Sequence, residues 1–291
     1  MDQKEWIKHI QKLREETEAL PKKDEEELKQ ELKKAVVDAI KKRIPKEKFA
    51  IFFSGGVDSS LIALVCKQAG AEFTCYCVGY KTEDMEMPQD LIWSEDIAKK
   101  LDLNLVKKTF NVKESEEIIK KVVKILPHKE VNIQYVTNIG VGAVLVAAHS
   151  IAEEKVFFSG LGSEEIFAGY ERHEKAREKH EECWNGLEKI YERDLTRDLP
   201  IAEALGIKIE APFLDDAVIK AAMRIHIERK INEEHKKIIL REIAEELGLP
   251  AEFAWRKKLG AQYGSKFDRA IKKIALNHGH KYRRDYLKSL I

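Results

Sequence analysis

Phe49-Ala50-Ile51-Phe52-Phe53-Ser54-Gly55-Gly56-Val57-Asp58-Ser59-Ser60 is the stretch that decides the fold. Its first five residues are apolar without alternation, which suits a strand covered on both faces. Ser54 to Asp58 form a small-residue turn, and residues 59–68 carry helical periodicity up to Gly70. Strand, tight turn and helix in that order aim backbone N–H groups and the helix dipole at one concavity, which is an anion site. The two glycines let the backbone approach a phosphate and adopt positive φ. Ser59 and Ser60 add hydroxyl donors. A carboxylate at Asp58 would repel phosphate unless a divalent cation lay between them, so the motif implies Mg²⁺ as well. A plain capped glycine turn is the alternative for a bare Gly-Gly, but it does not account for the full Ser-Gly-Gly-Val-Asp-Ser-Ser run after a buried strand.

Outward from this unit, strands are expected at 71–80, 104–110 and 155–159, alternating with helices at 90–101, 115–126 and 132–153. Such alternation predicts an α/β fold with a doubly wound, mostly parallel sheet. Upstream, residues 2–20 and 24–43 read as two amphipathic helices separated by Pro21, with Pro45 after the second. Downstream, 166–208 reads as helices with irregular joins and 215 onward as helix again. The expected organisation is therefore 1–45 as N-terminal helices packed on the body, 46–170 as the nucleotide-binding core, and 171–291 as a helical part completing the site.

Lys and Arg number 52 and Asp and Glu 51, a net charge of +1 on 291 residues. That balance gives no global attraction to nucleic acid or to an anionic membrane. Lys257, Lys258, Lys266, Lys281, Arg283 and Arg284 crowd the C-terminal end, where a solvated charged face explains most of them. No apolar stretch is long enough to span a bilayer, and the N-terminus lacks a signal-peptide core. A cytoplasmic protein is expected. Cys66, Cys75, Cys77 and Cys183 form no CxxC pair and suit a reducing compartment, with Cys75 and Cys77 sharing one buried face of a strand.

The turn lacks the lysine of a GxxxxGK(S/T) loop and resembles the SGGxDS signature of the PP-loop ATP pyrophosphatases. That superfamily includes GMP, NAD, argininosuccinate and asparagine synthetases and several tRNA-modifying enzymes, and the resemblance implies cleavage of ATP between its α- and β-phosphates. A second run, Ser159-Gly160-Leu161-Gly162-Ser163-Glu164-Glu165-Ile166-Phe167-Ala168-Gly169-Tyr170, is similar to the SGEGSDEhFxGY of asparagine synthetases. Ala211-Pro212-Phe213-Leu214-Asp215 resembles the family's xPFLD, and Trp255-Arg256-Lys257-Lys258 its WRxK. The four blocks keep their order across about residues 26–268. They resemble the synthetase domain, with greatest likeness to asparagine synthetase domain-containing proteins. The family's N-terminal glutamine-hydrolysing domain, with its Cys nucleophile, has no counterpart in the match.

The resemblance implies that Phe53, Val78, Ser159 and Gly160 line the AMP portion of ATP. It implies that Ser54, Gly55, Gly56, Asp58, Ser59 and Ser60 hold pyrophosphate, and that Asp58 and Glu164 hold Mg²⁺, with Glu165 beside them. Lys258 matches the catalytic lysine, whose charge would stabilise the phosphates and the later tetrahedral intermediate. The expected reaction is adenylation of a small-molecule carboxylate, then displacement of AMP by an amine or by ammonia, supplied free or by a separate glutaminase subunit. This is the chemistry of asparagine biosynthesis, but Leu161 stands where the family places a glutamate that looks like the general base for the amine step. Arg172 and His173 are read as the polar start of a charged helix. Two other readings are a tRNA-modifying adenylating enzyme and a nucleotide-binding regulatory protein without turnover. The acceptor, the amine and any homo-oligomeric state are not fixed by the sequence.

Overall fold

The computed structural model describes residues 1–126, 130–257 and 259–291. The chain opens with α1 (Gln3–Glu18) and α2 (Glu25–Lys41), followed by β1 (Phe49–Phe52), α3 (Val57–Gln68), β2 (Phe73–Tyr80), α4 (Gln89–Leu101) and β3 (Leu105–Phe110). Next come α5 (Val112–Ile125), α6 (Ile133–His149), β4 (Val156–Phe158), α7 (Ser163–Ile166), α8 (Glu171–Lys175) and α9 (Lys179–Ile190). A π-helical turn, Tyr191–Leu195, joins α9 to α10 (Thr196–Leu205), and β5 (Lys208–Glu210) and α11 (Asp216–Arg224) follow. The last elements are α12 (Ile238–Glu246), α13 (Ala251–Ala254), α14 (Ala261–Gly264), α15 (Phe267–Asn277) and α16 (Arg283–Ser289).

The sheet is parallel throughout, in the order β3-β2-β1-β4-β5. Apolar side chains sort by strand period: Phe49 and Ile51 of β1 face one core with α1, α2, α3, α9 and α11. Ala50 faces the other, with α5, α6 and α15. Burial on both sides explains why β1 is apolar without alternation. The doubly wound α/β expectation is met, with one strand more than the sequence suggested. Residues 208–210 pair with β4, Val156 opposite Lys208 and Phe158 opposite Glu210, where only helix and irregular chain were expected. A three-residue edge strand flanked by charges leaves no periodic trace.

The N-terminal helices are fixed locally by their caps: Asp2 Oδ1 accepts from the Glu5 N–H at 2.9 Å and Glu5 Oε2 from the Asp2 N–H at 2.8 Å. They share the core of the body, with Trp6, Ile10, Leu32 and Ile40 all buried, and Trp6 Nε1 donates to the Leu187 carbonyl at 2.8 Å. All four cysteines are buried, and none forms a disulfide among the described residues. Among the described residues no helix is long and apolar enough to cross a membrane. Strand order reverses between β1 and β4, and in open α/β sheets the crevice beyond the strand ends at such a switch point takes ligands.

Candidate active site

Both sequence motifs leave the sheet at this switch point, one after β1 and the other after β4. Gly55, at φ +68°, makes the first turn; a β-carbon there would stand 2.8 Å from the Ser94 nitrogen of α4, so only glycine fits both the conformation and the packing. Gly56 begins α3 without a side-chain cap, which leaves the first turn of that helix open for an external acceptor. The two motifs abut, since a β-carbon on Gly160 would lie 2.9 Å from that of Asp58.

At their junction sits a residue that no sequence motif marks. Lys237 Nζ donates to Asp58 Oδ1 at 2.9 Å and Oδ2 at 2.8 Å, to Glu164 Oε1 at 2.6 Å and to Ser163 Oγ at 3.0 Å. The lysine is 5% exposed. Burial alone would depress its pKa, but the carboxylates of Asp58 and Glu164 carry it above the ordinary lysine value. Close approach is enforced at Gly169, where a β-carbon would fall 1.8 Å from Glu164 Oε2. No motif in His235-Lys236-Lys237-Ile238 sets this lysine apart from its charged neighbours.

A cavity of about 310 Å³ opens beside this cluster, walled by Asp58, Glu164, Lys237, Arg241, Arg256 and Lys257 among others. Trp255 and Arg256 are held by their neighbours: Trp255 Nε1 donates to Glu245 Oε2 at 2.6 Å, Arg241 Nη1 to the Arg256 carbonyl at 3.2 Å, and the Arg256 guanidinium lies 5.0 Å from the Trp93 ring.

The asparagine synthase family model matches residues 30–185 and 173–285. The chain belongs to the asparagine synthase family. A Methanocaldococcus jannaschii protein that carries the name of a glutamine-hydrolyzing asparagine synthetase is 35% identical over 89% of this chain and 53% of its own. The yeast asparagine synthetase domain-containing protein YML096W is 27% identical over 90% of this chain and 54% of its own. The chain therefore spans about half the length of these curated relatives. Among solved structures, NMN synthetase from Francisella tularensis aligns with a TM-score of 0.42 at 13% identity, covering 91% of this chain and 93% of that one.

Within this family frame, Phe53, Val78, Ser159 and Gly160 stand at the carboxyl ends of the adjacent strands β1, β2 and β4. The side chains of Phe53 and Val78 are in the core, so their backbone is the part available at that edge. Ser54 and Ser59 meet across the first turn, Oγ to Oγ at 3.5 Å. Asp58 and Glu164 are brought together, and Glu165 is not part of that meeting. Its carboxylate turns into a second network with Arg193 and Arg172, where burial pushes it up to about 7 against the pull of Arg193. The π-helical turn delivers Arg193 and Asp194 to that network, and Arg197 of α10 pairs with Asp194 and Asp198. Lys258 lies outside the described residues. Leu161, half-buried, packs against the apolar core. His173 is fully buried, its Nδ1 accepting from the Tyr170 N–H at 3.1 Å and burial lowering its pKa to about 3, while its Nε2 has no hydrogen-bond partner among the described residues. Arg172 lies over the Tyr170 ring and pairs with Glu182.

Proposed function

We propose that the chain is an ATP-dependent amide-forming ligase that adenylates a carboxylate. The observation that carries this is the convergence of Asp58 and Glu164, one from each motif, on a single positive charge at the β1/β4 switch point. Two hard carboxylates meeting one cation fit Mg²⁺, which is held by one or two carboxylates with nucleotide phosphates and water completing its shell. Among the described residues no group of three or more His, Cys, Asp and Glu gathers as an all-protein cage would. Buried Ser60 Oγ has no hydrogen-bond partner among the described residues, and with the uncapped turn of α3 it supports a phosphate site.

When bound, Mg²⁺ would neutralise phosphate charge and polarise the phosphoryl oxygens. The chain's own residues orient the reaction. Ser54, Gly55, Gly56, Ser59 and Ser60 hold the β- and γ-phosphates, Phe53, Val78, Ser159 and Gly160 the AMP portion, and Lys237 and Arg241 supply positive charge beside them. A substrate carboxylate oxygen attacks the α-phosphorus and the bond to the bridging oxygen breaks, releasing pyrophosphate. An amine then attacks the acyl carbon, loses a proton and displaces AMP, with Lys258 as the proposed cation for the tetrahedral intermediate. Leu161 cannot accept the proton of the amine step, so ammonia or an already neutral amine suits the site better than an ammonium donor. The protein works in the cytoplasm, and its ammonia arrives free or from a glutaminase partner.

Exchange of labelled pyrophosphate into ATP over a panel of carboxylates tests this. At least one carboxylate should support exchange, and Asp58→Asn should lower it by about 100-fold or more. ATP binding without exchange for any carboxylate would overturn the ligase and leave a nucleotide-binding regulator.

A further inference from the structure

The ammonium of Lys237 lies between the carboxylates of Asp58 and Glu164, the two residues proposed above to hold a divalent cation. Resting on the metal-and-nucleotide site proposed above, we propose that Lys237 is a resident counter-cation that bars free divalent metal, so that metal is admitted only together with nucleotide.

Each of the three ammonium donors has an acceptor within 3.0 Å, among Asp58, Glu164 and Ser163. A cation placed between the carboxylates would stand against the ammonium with like charge, so one of the two must leave. Breaking a buried pair leaves an uncompensated charge and is costly unless a new partner is at hand. Free metal brings no anion for the displaced ammonium, whereas a nucleoside triphosphate brings several phosphate oxygens. The cavity beside the cluster gives the lysine somewhere to go, and its walls carry Arg241, Arg256 and Lys257, which can meet phosphate, alongside Glu174, Glu233 and Glu234.

The segment carrying the lysine is built to deliver it. Asn232 Oδ1 accepts from the N–H groups of Glu234 and His235 at 2.9 and 2.7 Å, closing a tight turn. His235 meets the Trp255 ring edge-on at 4.9 Å between centroids, and Lys236 Nζ lies 3.1 Å from Glu174 Oε2. Lys237 itself is held at φ +59°, a conformation that costs a lysine free energy and persists where its surroundings impose it. With the backbone pinned, the four-carbon stem can swing the ammonium from carboxylates to phosphates.

The test is Mn²⁺ binding to the full chain, followed by electron paramagnetic resonance of the free ion, with and without α,β-methylene-ATP. Wild type should bind Mn²⁺ at least about tenfold more tightly with the analogue, and Lys237→Met should bind Mn²⁺ alone at least about tenfold more tightly than wild type. That gain should vanish in the Asp58→Asn, Lys237→Met double variant. Equal or weaker Mn²⁺ binding by Lys237→Met without nucleotide overturns the proposal. The wild-type comparison needs no variant to fold: Mn²⁺ held as tightly alone as with the analogue overturns it as well. Bound analogue with no Mn²⁺ in any form sinks the metal site itself, whereas Mn²⁺ behaving as expected without pyrophosphate exchange sinks only the ligase reaction.

Discussion

Two buried lysines show how environment assigns a residue its work. Lys237 finds two carboxylates and stays charged; Lys230, fully buried, has the Met223 sulfur at 3.6 Å as its hydrogen-bond acceptor, and burial lowers it to about 8. A lysine whose folded pKa lies below its unfolded value gives its full contribution to stability above the unfolded pKa, near 10.5, and loses it as pH falls through 8. Stability should therefore drop between those values and be flat below them on account of this group. Lys230→Met should stabilise the protein at pH 7 by up to about 3 kcal/mol, less any packing loss, with the gain vanishing towards pH 10.5; urea unfolding across that range measures it. An unchanged pH profile in the variant would count against it. Neither lysine was legible in the sequence, because burial and partners are properties of the folded chain.

At the scale of elements, strand period and helix caps did most of the work. The principal helices were legible from their regular apolar spacing and β1 and β4 as continuous apolar runs, whereas β5, as short as β4, carries Lys208 and Glu210 at its ends and its place is dictated by β4. The turn after β1 was legible for another reason: a run of small residues with glycines suits a tight strand-to-helix turn, and Gly55 at φ +68° makes it. The N-terminal helices are read from spacing, but their seat is a tertiary matter, carried by Trp6 with its ring in the core and its Nε1 on the Leu187 carbonyl. Trp6→Ala should cost roughly 3–5 kcal/mol in urea unfolding. ATP binding should survive below the transition, because α1 does not line the site.

For the whole molecule, the site lies where α3, the second motif and the segment before α12 meet, so ligand binding is coupled to the packing of distant parts of the chain. Mg-ATP at about 100 times its Kd should stabilise the fold by about 2.7 kcal/mol if it binds only the native state. A thermal melt should rise accordingly, and Asp58→Asn should lose most of the rise. A shift of equal size in that variant would place the nucleotide elsewhere.

The sequence by itself determined the α/β order, the tight turn after β1 and the family, since each rests on local spacing or on residues contiguous along the chain. The resemblance already paired Asp58 with Glu164; only the tertiary structure decided that Glu165 turns away into an arginine network and that Lys237 joins the acids, 179 positions after Asp58. The strand order brings β1 beside β4, and burial in a low-dielectric pocket then requires each charge gathered there to find its opposite.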